Sequence, residues 1–420
     1  SEMCIRDRYS VSGLWRISQE PFMASAKWID NLVVRASYGL QGNIDKNTSP
    51  FLLGNYRIEN ILPGGSEDMI DVSGAPNKKL RWEKTHSVNA GFDFAVLNQA
   101  INLSVDYYYR KGVDLIGTQM LPLETGFEML TVNWASMRNQ GVEVALSTRN
   151  VHTKNFMWTT NFNFAYNNNK VLKEALREDA LEPGREGYPA GALFALKTAG
   201  LDEEGYPMFQ DKDGKAVSAM EFFKLQEWGF GATDLTARER RELYTYVGTA
   251  DCPYTGGFNN TFTYKAFELG VNFSFDFGGK VRSQPTYSIV DFDKGRNTNR
   301  DILNRWTPEN TETIFPVLLS QNERLDEYMW YSNQNEIYRN LDIWIRDLNY
   351  VRLQNIRLGY TLPTNFSRTL GMTSATVAIE GRNLLVFGSS YKNYLDPETM
   401  SNAYATPAPK SVTLSLNLIF

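Results

Sequence analysis

The chain has 420 residues, 42% hydrophobic and 13% aromatic, which is room for two or three ordinary domains or for one large β structure. Its 43 Lys plus Arg nearly balance 48 Asp plus Glu, and a net charge of -5 supplies no basic surface of the kind a nucleic-acid partner requires. Two cysteines, Cys4 and Cys252, and two histidines, His86 and His152, give no disulfide framework and too few members for a metal cluster or a catalytic relay, so no metal, cofactor or catalytic residue is assigned.

No apolar run approaches the roughly 20 residues of a spanning helix. A spanning β-strand needs only about 9 to 11 residues with every second one apolar, and its polar partners keep average hydropathy low. A mean hydropathy of -0.39 fits that case.

In chain order, residues 1–8 fit neither a strand nor the pattern that follows, with no initiator Met and no leader, and are read as foreign or as the edge of a gene model. Alternation begins at Tyr9 to Ser18 and recurs at Leu32 to Leu40 and at Val88 to Val96. In Ile101 to Arg110, Ile101, Leu103, Val105, Tyr107 and Tyr109 face Asn102, Ser104, Asp106, Tyr108 and Arg110 across the strand. Val142 to Thr148 and Phe156 to Tyr166 follow, then Leu235 to Val247, which reads as a short helix, and Gly256 to Lys265. Phe267 to Gly278 is the clearest ribbon, with Phe267, Leu269, Val271, Phe273, Phe275 and Phe277 all on one side. Ile356 to Leu362, Ala375 to Ile379 and Val412 to Phe420 bring the total to about 11 strands of membrane-spanning character.

The connections alternate between short and long. Short links fall at 98–100, 150–155, 266 and 363–374, and long ones at 41–81, 111–140, 168–255, 279–350 and 388–410. Loops beyond about 15 residues are uncommon in compact domains, and a transmembrane barrel keeps short turns in the periplasm and long loops outside. The expected fold is therefore an all-β, antiparallel transmembrane barrel, here an open part of one with long extracellular loops.

Several stretches together resemble the SusC/RagA family of TonB-dependent outer-membrane transporters of Bacteroidetes: WRISQEPFM, LVVRASYGLQGN, LRWEKTHSVNAGFDF, VDYYYRKGVDLI, NQGVEVAL, YTGGFNNTFTYKAFEL, RWTPEN, YVRLQNIRLGYTLP, RNLLVF and YLDPE. The resemblance runs from about Tyr9 to Phe420. It implies that residues 9–420 are the C-terminal half, about 11 of 22 strands, of a barrel whose plug and first half are not in this sequence. It further implies import of a nutrient too large for porins, an oligosaccharide or peptide, with a SusD-like surface lipoprotein as partner and TonB–ExbB–ExbD as energy source. Val412, Leu414, Leu416 and Leu418, in phase with the terminal Phe420, look like the signal read by the barrel-assembly machinery.

Further expectations attach to residues. Trp134, Trp228, Trp330 and Tyr331 in the loops stack on a ligand or pack the loops together, packing being the favoured reading. Asp106, Arg110, Glu143, Asp276, Glu380 and Arg382 face the lumen, where a hydrated wall is the default. Trp15, Trp158, Tyr107, Tyr109 and Tyr360 belong to interfacial aromatic girdles beside outer-membrane lipid. Asp211, Asp213 and Gly214 start like a calcium loop, but position twelve is Phe222 where a bidentate Glu belongs, so they read as a turn. No G-x-S-x-G elbow supports an enzyme, and a soluble β-sandwich with adhesive loops is the alternative.

Overall fold

The computed structural model describes residues 8–420 except 44–49, 63, 64, 73, 128, 177, 286, 291–298, 321, 322, 334, 370, 389–395 and 401–404. Cys4 and the other residues before 8 lie outside this set. The backbone is extended over most of each alternating segment, the first ending at Arg16 where Ile17–Gln19 turn into a 3-10 helix instead of continuing to Ser18. The elements begin with β1 (Tyr9–Arg16), β2 (Ile29–Asn43), the hairpin β3 (Gly54–Leu62) and β4 (Gly65–Val72), β5 (Glu83–Val96), β6 (Ile101–Met120), β7 (Met129–His152) and β8 (Phe156–Lys173). A first long insertion holds β9 (Ala192–Leu196), β10 (Thr198–Leu201), β11 (Pro207–Gln210), β12 (Ala216–Val217), α1 (Ala219–Phe222), α2 (Ala237–Glu242) and β13 (Tyr244–Thr249). After β14 (Tyr254–Tyr264) and β15 (Phe267–Arg282), a second insertion carries α3 (Leu325–Asn333) and α4 (Asn335–Arg339). The chain ends with β16 (Ile345–Thr361), α5 (Thr364–Thr369), β17 (Ser374–Phe387) and β18 (Ser411–Ile419).

Eleven strands form one antiparallel sheet in the order β1-β2-β5-β6-β7-β8-β14-β15-β16-β17-β18, each wall strand bonded to the next wall strand in sequence. Register decides which side chains share a face, because a slip of one residue would turn every side chain over. Leu32, Phe94, Leu103, Leu146, Phe162, Phe258, Phe273, Leu353 and Leu385 stand side by side from β2 to β17, an unbroken apolar row on one face. Rings stack across it, Phe258 on Phe273 at 4.7 Å and Trp158 on Phe262 at 5.5 Å. No second sheet covers this face, and residues such as Val34, Phe92 and Leu414 remain exposed on it. A continuous uncovered apolar face of this size suits lipid and not water. The sheet is open, since β1 and β18 are not paired to each other and every residue of both is exposed.

Three expectations change in extent. The segment 111–140 is strand for most of its length, because β6 runs to Met120 and β7 starts at Met129. Register shifts between Gly112 and Ile116, with Asp114 at φ 58, break the parity there, so strict alternation ends before the strand does. Likewise, β17 runs from Ser374 to Phe387 and not only to Ile379. The helix expected over 235–247 is the six-residue α2, closed at its start by a capping box of Thr236 and Glu239. Tyr244–Thr249 instead pairs with β9, which captures its β-branched and aromatic residues.

The two insertions fold together, at the end of the sheet where the long connections lie, into a lobe with its own core. Leu196, Phe209, Leu341, Trp344, Trp330 and Tyr331 are buried within it. Phe209 stacks on Phe222 at 4.8 Å, and the Phe223 and Trp330 ring centroids are 3.8 Å apart. Asp211–Gly214 is the turn between β11 and β12. Asp211 Oδ1 accepts the Asp213 and Lys215 amides at 3.0 and 2.7 Å, and Gly214 takes φ +80.

Candidate functional site

The face opposite the apolar one is polar in the same register. Asn102, Ser147, Asn161, Asn259, Asn272, Asn355 and Arg382 stand in one row from β6 to β17. An amide both donates and accepts, so this row can bond a polar chain in any local orientation. Part of the row lines an open trough of about 440 Å³ with Asp93 and Ser104. The six charged residues assigned to this face by parity stand on it. Asp106 faces Glu143 across β6 and β7, and Arg110 lies over the Tyr108 ring at 5.2 Å. Asp276 accepts the Tyr350 hydroxyl at 2.5 Å, while Arg382 Nε donates to Glu380 Oε1 at 2.5 Å.

Two ion-pair centres organise the face. Near its β2 end, Arg35 NH1 lies 2.5 Å from Asp93 and NH2 lies 2.5 Å from Asp106, with Ser104 Oγ donating to Asp93 at 2.7 Å. All three charged side chains are about a third exposed, so the group is a wetted node carrying one excess negative charge. Toward the long-loop end of β16, Arg352 is almost fully buried between Asp396, which it contacts through NH2, and Glu398, 2.9 Å from its Nε. Asp396 and Glu398 belong to the long connection between β17 and β18, so the turn Asp396–Met400 folds inward onto the polar face instead of standing outside. Burial pushes the Asp396 carboxyl up, but Arg352 and the amides of Glu398 and Ala408 outweigh it and hold it below its ordinary value. Sequence alone singles out neither Arg35 nor Arg352. Parity places Arg35 on the polar face, but counted back from Ile356–Leu362 it sends Arg352 to the apolar one; the bulge between Leu353 and Asn355 turns Arg352 onto the polar face, where its partners come from a loop.

The loop aromatics separate. Trp330 and Tyr331 are 2% and 1% exposed inside the lobe core, so they are structural and not presented to a ligand. Trp228 is 73% exposed at a tight turn with φ 60, its amide donating to Asp326 at 2.8 Å, and Trp134 is half-exposed beneath the Lys173 ammonium, 3.6 Å from its ring centroid. Girdle aromatics fall toward the two ends of the apolar face. Trp15, Trp158 and Tyr360 stand near the short turns, Trp158 Nε1 donating to Asn260 at 3.0 Å; Tyr107 and Tyr109 stand toward the loops. Among the described residues, no group of three or more His, Cys, Asp and Glu is arranged to hold a metal.

Comparison with known proteins matches this architecture. The chain is 26% identical over 436 residues to TonB-dependent receptor P3 of Formosa agariphila, covering 97% of this chain and 41% of that protein. It is 25% identical to TonB-dependent receptor SusC of Bacteroides thetaiotaomicron, covering 96% of this chain and 39% of SusC. The chain thus spans about two fifths of the length of these relatives. The solved RagAB peptide transporter shares the fold at a TM-score of 0.76, with 24% identity, over 98% of this chain and 43% of that one. A family model described as TonB dependent receptor-like, beta-barrel, matches residues 7–384. A sheet with one lipid-suited and one polar face, matched over most of its length by that model, belongs to the TonB-dependent receptor β-barrel family of outer-membrane transporters.

Proposed function

We propose that this chain supplies the C-terminal part of the barrel wall of an importer for a large nutrient, an oligosaccharide or peptide, that works with a SusD-like lipoprotein and is driven through TonB–ExbB–ExbD. The observation that carries this is the asparagine row with its Arg35 node, a lumenal surface built to hydrogen-bond a polar chain. The shared fold with RagAB, a peptide transporter, supports a peptide, and the resemblance read in the sequence supports an oligosaccharide equally. Asp106, Arg110, Glu143, Asp276, Glu380 and Arg382 line the passage, while Trp134 and Trp228 are the exposed aromatics available for stacking. By itself this sheet leaves two open edges that a bilayer does not tolerate, so transport requires the strands and plug of the whole protein.

Val412, Leu414, Leu416, Leu418 and Phe420 would be the segment read by the barrel-assembly machinery. The adhesion alternative is disfavoured because the apolar faces do not meet in a sandwich core. The test is uptake of fluorescent oligosaccharides and peptides by cells carrying or lacking the full-length gene. Loss of one class of uptake is expected on deletion. Unchanged uptake of both would refute import.

A further inference from the structure

The apolar face ends, toward the loops, in a row of cations. Register places Leu40, His86, Lys111, Arg138 and Lys170 side by side on five consecutive strands, β2 to β8, in the wall order given above. Each shares parity with the apolar row and so points to the same face, away from the lumen. Rows directly below hold Val88, Tyr109, Gln140 and Asn168, then Ala90, Tyr107, Val142, Tyr166 and Tyr254, a polar and aromatic border before the purely apolar rows begin. The ten steps from Ile101 to Lys111 span about 33 Å along the strand, or about 25 Å of height at a tilt of about 40°, which is the height of a barrel's apolar band. The row therefore sits where the outer leaflet meets water.

Charge at such a position ordinarily finds a carboxylate. Here Lys111, Arg138 and Lys170 are in no ion pair among the described residues, and Arg138 Nε is buried without a hydrogen-bond partner. Of the acids on β6 and β7, Asp106 and Glu143 point to the opposite face and Asp114 is paired with Arg81 at 2.5 Å. His86 is fixed by the Tyr38 hydroxyl at 2.9 Å. Three unpaired cations on adjacent strands, over a tyrosine border, complement an anionic headgroup whose acyl chains would lie on the apolar rows below.

We propose that His86, Lys111, Arg138 and Lys170 form a headgroup site for a phosphate-bearing glycolipid of the outer leaflet. Strand spacing of about 4.8 Å puts neighbouring cations close enough to share one phosphate. The site depends only on the outer-membrane location and is separate from the import reading, since it lies on the other side of the wall.

The experiment uses the full-length protein in nanodiscs containing monophosphorylated lipid A or its dephosphorylated form, with retained lipid counted by native mass spectrometry. The wild type is expected to retain the phosphorylated lipid. The triple variant Lys111→Ala, Arg138→Ala, Lys170→Ala should lose it by about tenfold or more, whereas Lys154→Ala, in a turn at the opposite end, should not. Raising salt to about 1 M, where the Debye length is about 3 Å, should release lipid from the wild type and gives a reading independent of whether the triple variant folds. Equal retention of both lipids, salt-insensitive retention, or full retention by a correctly folded triple variant would overturn the proposal. Displacement of the lipid by inorganic phosphate would also overturn it, by assigning the row to a soluble anion.

Discussion

Replacing Arg352 with Met should release the Asp396–Met400 turn from the polar face without opening the sheet. The Arg352 side chain is 2% exposed and that of Asp396 6%, so the variant leaves an uncompensated carboxylate in a site that excludes water. Removing one member of a buried pair costs about 3–5 kcal/mol. Because the turn can swing into water, that cost appears as undocking and not as global unfolding, and it corresponds to roughly a 10²- to 4 × 10³-fold rise in the undocked population. Asp396→Asn keeps one acceptor oxygen, enough for the Glu398 or the Ala408 amide but not both, and loses the charge. Charged hydrogen bonds are worth about 1.5–3 kcal/mol, so a smaller rise of about 10- to 100-fold is expected. Since the folded carboxyl lies below its ordinary value, its contribution is complete above the unfolded value. It is lost as pH falls through the folded one, so the wild-type turn loosens only in acid below the usual carboxylate range. Met400, 1% exposed, reports docking once changed to Cys in a cysteine-free background of the full-length protein, with Cys4 and Cys252 both replaced by Ser. Its maleimide labelling should be slow with Arg352 present and fast in Arg352→Met. Labelling as fast as at Lys410→Cys with Arg352 intact, or unchanged protection in Arg352→Met, would refute the reasoning.

Other perturbations separate wall from lobe. A Cβ at Gly91 would stand 2.3 Å from Asp106 Oδ1 and 2.8 Å from the Val105 carbonyl, so Gly91→Ala should displace the Arg35–Asp106 contact and cost about 1–3 kcal/mol. Gly270→Ala on the same face meets nothing within 4 Å and should be neutral, and the two are compared by the temperature at which the folded band is lost in gel migration. Trp330→Ala empties the centre of the lobe at about 3–5 kcal/mol, so protease should cut the lobe while the membrane-embedded wall stays resistant. Deleting Phe420 should lower the fraction of full-length protein that reaches the folded state in the outer membrane. An unchanged folded fraction would remove the assembly role from the terminal segment.

How far the sequence announces this structure depends on which periodicity a segment obeys. The wall strands are legible because each keeps period two for long enough to be counted, and β15 can be read with no other information. Where a bulge inserts a residue, as between Gly112 and Ile116, the strand continues but the parity inverts, and period-two reading mistakes the upper strand for loop. The lobe is illegible for a different reason. Its strands are two to six residues long and its helices no longer than nine, too short for either period to show, and its core is made by contacts such as Phe223 with Trp330 that are remote in sequence. The charged centres fall between these cases. Parity alone sends Arg35 and Lys111 to definite faces and Arg352 reaches its face only through the bulge beside Leu353, but whether a charge is buried, wetted or unpaired depends on what the other strands and the returning loop bring to it. Arg352 meets a loop carboxylate 44 residues away, and Lys111 stands opposite Arg138 and His86 with no carboxylate paired to it among the described residues. That difference, invisible in the local sequence, makes one a structural clamp and leaves the other a site for something outside the chain.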